Sequence, residues 1–422
     1  MNSYLRLSVY LLLLAFFYSC GVTHQIKKEF SQKEKDNNFF KGFVLYDPVT
    51  KKQLINHNGN KFFTPASNTK LYTFYAAYRT FKDSVKSFEY YKTSDSLIIK
   101  GTADPSLFYG FDSTKVVNFL KKDTPQIYLV DATIDEKPYG SGWAWDDYAY
   151  YYQPEKNLFP IYGNIVTYGF ENDSLTSYPQ LFKNQIKVVD STDVDREVNA
   201  NLFYIEKDRI RKKYVPFITN NELIARLLEK ELSKKVSVIP YKNNYALTPF
   251  YGASYDSLYK QLLVISDNFI AEQLMLQVGN EKVGSYSVKK GISYALENYL
   301  NDLPQKPRWV DGSGLSRYNL FTPEDMVFLL NKMYAEIPTE KLFSYFPVGG
   351  ESGTLKNWYA NDRPFVYAKS GTLSNNYNLS GYIVTKRGNV FIFSYMNNHY
   401  VIPLSEVKKE IEETLLTIYN NY

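Results

Sequence analysis

Three strand-like runs near the C-terminal end, "PFVYAK", "NLSGYIVT" and "NVFIFSYM", limit most strongly what this 422-residue chain can become. The last two are joined by a tight turn at 386–389, and a helix from Ser405 follows with Val407, Ile411, Leu415 and Ile418 on one face. A second hairpin pattern lies at 42–59, where "GFVLYDP" and "KQLINHN" flank a polar turn. Right after it, Leu71, Phe74, Tyr78 and Phe81 recur at helical spacing, which predicts a helix over 67–81 with one buried face. Helical periodicity returns at 220–233, 257–278 and 287–300, while 85–215 reads as short strands and turns. The pattern predicts an α/β (α+β) fold: a sheet with helices around it, the helix of Ser67 inside, and a strand-rich insertion after that helix. The core unit is expected over 39–84 and 216–422, and the insertion over 85–215.

Composition removes several classes of chemistry. The formal net charge is +5, with Lys and Arg spread along the chain, so no nucleic-acid partner is expected. Cys20 is the only cysteine and His24, His57 and His399 are the only histidines. That excludes a disulfide and a cysteine-held zinc, and disfavours a Ser-His-Asp triad or a histidine metal site, so no metal or cofactor is expected. Arg6 followed by the short apolar run at 11–17 reads as an export signal over 1–19, too short to span a bilayer. Cys20, between Ser19 and Gly21, stands where a bacterial lipoprotein signal places its lipidated residue, although Phe17 replaces the usual Leu. Residues 20–38, polar and without apolar periodicity, are expected to form a lipidated tether at the envelope, on the periplasmic side.

The segment "FTPASNTKL" puts Ser67 three residues before Lys70 at the start of the predicted helix. Residues three apart face the same way, so the hydroxyl and the amine can meet. A serine needs a base to become a nucleophile, and a lysine is one only if its pKa is lowered by burial or by a neighbouring cation. Ser-x-x-Lys is cheap, however: it occurs at Ser67, Ser257, Ser287 and Ser405, and each can equally be a helix cap. Its companions carry the weight. Lys-Ser-Gly occurs once, at Lys369, and Ser-x-Asn occurs at Ser266 and Ser374, only the former between helical stretches. Ser266-Asp-Asn268 can also cap the helix that carries Ile270 and Leu274.

The order Ser-x-x-Lys, Ser-x-Asn, Lys-Ser-Gly, with "GTADPSL", "GWAWDD", "ISDNFIAEQL", "DGSGLSRYN" and "AKSGTLSNNYNLSGY" around it, resembles the class C low-molecular-mass penicillin-binding proteins. These are D-alanyl-D-alanine carboxypeptidases and endopeptidases. The resemblance implies a transpeptidase-type core of antiparallel sheet plus helical subdomain, peptidoglycan stem peptides as substrate, and β-lactams as covalent inhibitors. It implies Ser67 as nucleophile, Lys70 as base, Ser266 as proton relay and Asn268 as holder of the substrate amide. Lys369 with Thr372 would receive the terminal carboxylate, the backbone N–H groups of Ser67 and Thr372 would form the oxyanion hole, and Ser370, Gly371 and Thr372 are the expected substrate and oxyanion residues. The chain differs in having Lys-Ser-Gly where Lys-Thr-Gly is commoner, Ser352 where many members carry Asp, and a shorter insertion. A rival feature, Glu297-Asn-Tyr-Leu-Asn301, matches the water-activating pattern of class A β-lactamases and equally ends an amphipathic helix. A β-lactamase or esterase on the same core, or a non-catalytic wall-binding lipoprotein, are the alternatives.

Overall fold

The computed structural model describes residues 38–122, 126–209, 211–241 and 245–422, together with Ile26, Lys28, Phe30, Gln32, Glu34 and Lys35. The hairpin of β1 (Phe40–Asp47) and β2 (Lys52–His57) leads into a 3-10 turn at Ala66–Thr69 and helix α1 (Lys70–Thr80). Next come β3 (Ser84–Lys92), β4 (Ser96–Gly101), α2 (Thr114–Lys121) and β5 (Gln126–Asp131). Five short strands, β6 (Ile165–Glu171), β7 (Ser174–Tyr178), β8 (Ile186–Val189), β9 (Phe203–Glu206) and β10 (Lys213–Pro216), precede α3 (Asn221–Leu232), β11 (Lys235–Pro240) and β12 (Thr248–Ser254). The chain then builds helices α4 (Tyr255–Val264), α5 (Asn268–Val283), α6 (Val288–Asn298) and α7 (Pro323–Glu336). It closes with β13 (Val366–Leu373), β14 (Asn376–Val384), β15 (Val390–Asn398) and α8 (Leu404–Asn421).

The N-terminal hairpin completes the C-terminal sheet, in the order β13-β14-β15-β1-β2, every neighbour antiparallel. The strands are apolar on both faces because both are covered. On one side Leu379, Phe393 and Tyr395 pack with Val407, Ile411 and Leu415 of α8. On the other, Tyr382, Ile392 and Met396 meet α1, α4, α5 and α7. Lys41 Nζ and Tyr395 Oη both donate to Glu410 Oε1, at 2.5 and 2.8 Å, which ties α8 to the sheet.

Three expectations change. Helix α1 does not bury one face only: Lys70 to Ala77 are all buried, because the helix runs between the sheet and the other helices. The insertion does not stop at 215. Its main sheet runs β11-β5-β4-β3-β12, so 216–254 belong with it rather than with the core unit. The apolar face of α3, periodic like any core helix, packs on that sheet through Leu223, Leu227 and Leu228. Because β3 and β12 are paired, with Ser84 opposite Ser254, the chain leaves and re-enters the core at one place. Finally, the tether over 20–38 is helical at its described positions. Ile26 and Phe30 are buried, with Phe30 stacked 5.0 Å from Phe43, an i,i+4 pair hidden among charged residues. Cys20 and the signal over 1–19 lie outside the described residues.

Two glycines let separate elements converge on Ser67. A Cβ at Gly371 would lie 2.5 Å from Pro65 O and 3.0 Å from Ser67 N, so β13 abuts the turn that carries the serine. Gly314, at φ +82°, would put a Cβ 1.8 Å from Ala66 O. Gly314→Ala combines backbone strain with a collision against main chain, and should cost about 2–5 kcal/mol. A urea midpoint equal to that of the parent would contradict this packing.

Candidate active site

The 3-10 turn at Ala66–Thr69 holds Ser67 half-buried, and the side chains around it are fastened from both sides. Asn68 Nδ2 donates to Ser380 Oγ of β14 at 2.7 Å, and Asn378 Nδ2 donates to Thr64 O at 2.9 Å. Ala66 sits at φ +49°, an uncommon conformation for a residue with a Cβ, immediately before the serine. No side-chain cap bond is made at this helix start, so the cap reading of Ser67 fails.

Lys70 Nζ donates to Ser67 Oγ at 2.9 Å, to Asn268 Oδ1 at 2.6 Å and to Ser313 O at 2.7 Å. All three ammonium donors therefore have fixed directions, one of them at the hydroxyl. Lys369 Nζ donates to Ser266 Oγ and to Ser370 O, each at 2.8 Å. Ser67, Lys70, Ser266, Asn268 and Lys369 thus form one cluster, assembled from α1, the α4–α5 junction and β13. At that junction the periodicity over 257–278 is broken: Ser266 adopts φ +66°, and Asp267 Oδ1 caps α5 by accepting from Ile270 N at 3.0 Å. Capping and site are shared between adjacent residues, Asp267 serving the helix while Ser266 and Asn268 face Lys369 and Lys70.

Burial lowers Lys70 to about 8, against the opposing pull of Asp311, Asp267 and Glu272. Lys369 is held well below the usual lysine range, first by burial and then by the charge of Lys70. The expected repulsion between the two lysines is present, but its effect falls on Lys369, and burial is what lowers Lys70. Glu272, buried beneath them, is pushed up to about 7 by burial and by Asp311.

Sequence reasoning missed the groups that hold Lys70 from below. Ser313 N donates to Glu272 Oε1 at 2.8 Å, which presents Ser313 O to Lys70. Asp311 accepts from Gly314 N, Ser316 N and Asn319 Nδ2, closing the loop written "DGSGLSRYN" into a rigid turn. An acid flanked by glycines and serines, able to collect several backbone N–H groups, was the signal available. The insertion reaches the same place: Trp143 Nε1 donates to Asp311 Oδ2, Tyr109 Oη to Asp267 Oδ2, and Asn268 Nδ2 to Tyr152 O, each at 2.9 Å.

Ser67, Ser266, Asn268, Tyr109 and Tyr152 line a cleft of about 970 Å³, with Ser370 and the exposed Thr372 on its strand wall and the two lysines buried behind it. On the outer edge of β13, Val366 O accepts from Gly349 N and Ala368 N donates to Pro347 O, and beyond them, at Ser370 and Thr372, no further strand among the described residues pairs with the edge. Ser370 Oγ donates to Thr354 Oγ1 at 2.7 Å. Ser352, which differs from the resembled pattern, caps a turn by accepting from Val348 N at 3.0 Å. Glu297 is exposed on α6 and does not line the cleft. Of the other Ser-x-x-Lys pairs, Ser257 Oγ donates to Ser254 O, and Ser287 Oγ accepts from Lys290 N as a cap.

Known proteins are similar to this chain in sequence and fold. The chain is 26% identical to the D-alanyl-D-alanine carboxypeptidase DacB of Haemophilus influenzae, over 85% of each chain. It is 24% identical to penicillin-sensitive carboxypeptidase A of Dictyostelium discoideum, over 84% of this chain and 82% of that one. The crystal structure of penicillin binding protein 4 from Haemophilus influenzae superposes with a TM-score of 0.70 at 20% identity, covering 90% of this chain and 94% of that one. The model of the D-Ala-D-Ala carboxypeptidase 3 (S13) family matches residues 22–194 and 249–421, and what it leaves between them falls within the insertion. With the core sheet, the helices and both flanks of the insertion inside that match, the chain belongs to the D-Ala-D-Ala carboxypeptidase 3 (S13) family.

Proposed function

We propose that this chain is a serine-type D-Ala-D-Ala peptidase of the cell envelope, a carboxypeptidase or endopeptidase on peptidoglycan stem peptides that β-lactams acylate at Ser67. One observation carries the reading: a fully buried Lys70 whose Nζ lies 2.9 Å from Ser67 Oγ. In its neutral form that lysine takes the hydroxyl proton as Oγ attacks the carbonyl carbon of the penultimate D-alanine. The oxyanion forms beside the N–H groups of Ser67 and Thr372, at the start of a helix whose dipole favours negative charge. The C–N bond breaks and the departing amine takes a proton from Ser266, which is resupplied through Lys369 at 2.8 Å. Water then attacks the ester and gives a proton through Ser266 to Lys369, while Lys70 returns its proton to the departing Ser67 Oγ, so both lysines regain their starting states.

Substrate entry sharpens the base. A carboxylate arriving at Ser370 and Thr372 favours charge on Lys369, and repulsion then favours neutral Lys70. A solved complex of the Haemophilus influenzae protein with a β-lactam shares this fold, at TM-score 0.69 and 21% identity, which supports the inhibitor class. The β-lactamase alternative lacks its water-activating acid in the cleft, since Glu297 stands outside it.

The envelope reading includes lipidation of Cys20. Ile26 is already buried in the core, so the six peptide steps from Cys20 to it would span at most about 20 Å and hold the enzyme close to its membrane.

Two outcomes are expected. Incubated with benzylpenicillin, the soluble protein should gain one drug mass on the peptide carrying Ser67, and Ser67→Ala should gain none and lose D-Ala release by about 10³-fold or more. An adduct retained by Ser67→Ala would overturn the nucleophile. The pH profile of the acylation rate constant should rise tenfold per unit up to about 8 and then level, because the protonated form of Lys70, dominant below that value, cannot accept a proton. A flat profile through that range would remove Lys70 as base.

A further inference from the structure

The fourth Ser-x-x-Lys, Ser405 to Lys408, opens α8 and has no part in the chemistry above, yet its lysine reaches the cleft. Lys408 is half-buried, with Nζ 5.0 Å from the ring centre of Trp358 and 5.2 Å from that of Tyr377. Two aromatic faces hold a cation in place without neutralising it. Among the described residues it has no carboxylate within ion-pairing distance; Glu412, one turn further on, accepts from Tyr359 N at 2.7 Å instead. Burial lowers its pKa, as expected of a cation waiting for a counter-charge.

Its position relative to the strand wall is defined. Tyr377 on β14 stands opposite Thr372 on β13, so the ring beside Lys408 neighbours the residue that ends the Lys-Ser-Gly-Thr run. Lys408, Thr354, Ser370 and Thr372 all line the same cleft. The lysine of that run, Lys369, is fully buried and gives two of its three donors to Ser266 Oγ and Ser370 O. A substrate carboxylate at the hydroxyls of Thr354, Ser370 and Thr372 has Lys369 buried behind it, and a second cation on the open side of the cleft would neutralise it from the front. Helix α8 holds its register there, because Glu410, two residues beyond Lys408, is bonded to Lys41 and Tyr395.

We propose that Lys408 is a specificity residue of the peptidase site, the cation that binds the carboxylate on the leaving-group residue of the peptide and so selects acid over neutral termini. This rests on the peptidase reading. It adds a recognition group from the C-terminal helix to those of the three motifs.

The test compares two substrates, an N-acylated peptide ending in D-Ala-D-Ala with a free carboxylate and the same peptide as its terminal methyl ester. In the parent protein the acid should be preferred, with KM rising as salt is added. Lys408→Gln should raise KM for the acid by about tenfold with little change in kcat, leave the ester unaffected, and weaken the salt dependence. Lys408→Arg should restore most of the acid preference, which a purely structural role for the side chain would not predict. An acid-to-ester preference that is the same in parent and Lys408→Gln overturns the assignment and leaves the peptidase intact. Absence of turnover and of Ser67 acylation in the parent itself would overturn both.

Discussion

The contact between Lys70 and Ser67 is the constraint on which the rest of this structure depends. A lysine accepts a proton near neutrality only when its charged form is made costly, and here burial does that: Lys70 is fully buried at the centre of the molecule. Burying an amine is tolerable only if every donor has a partner, and Ser67 Oγ, Asn268 Oδ1 and Ser313 O supply them. Each partner comes from a different part of the chain. The fold can be understood as the apparatus that brings those three oxygens to one nitrogen.

That requirement accounts for features that seem unrelated. Helix α1 is buried on all sides from Lys70 to Ala77, which encloses the amine at its first turn. The edge strand β13 must approach the serine closely, so position 371 has no side chain. The loop over 311–319 must offer a carbonyl upward, and Asp311 and Glu272 gather its N–H groups to aim it. The insertion does more than cover the cleft: through Trp143, Tyr109 and Tyr152 it bonds to Asp311, Asp267 and Asn268. Part of the geometry around Ser67 and Lys70 therefore depends on the insertion as well as on the core.

Much of this was legible beforehand. The alternating runs at 366–398 and the hairpin at 42–59 point to the sheet; spacing brings Ser67 to Lys70, and the family resemblance of the motifs is what implies that Ser266, Asn268 and Lys369 join them. What escaped has physical reasons. The periodicity of α3 marks an apolar face but not what it packs on, so it does not separate 216–254 from the core unit. Ile26 and Phe30 are only two apolar residues among charged ones, too few to announce a docked helix. Ser313 acts through its carbonyl, which no side-chain pattern reveals. Lys408 belongs to a repeated and cheap motif, and only its place between Trp358 and Tyr377 sets it apart.

Acylation of Ser67 by benzylpenicillin in a Lys70→Arg protein is the most direct measurement of the central claim. Arginine keeps the positive charge and most of the hydrogen bonding but does not give up its proton in a protein. With folding verified by an unchanged urea midpoint, the acylation rate constant should fall by about 10²–10⁴-fold and lose its rise with pH. A rate within a few-fold of the parent, with the same pH profile, would show that Ser67 does not use Lys70 as its base.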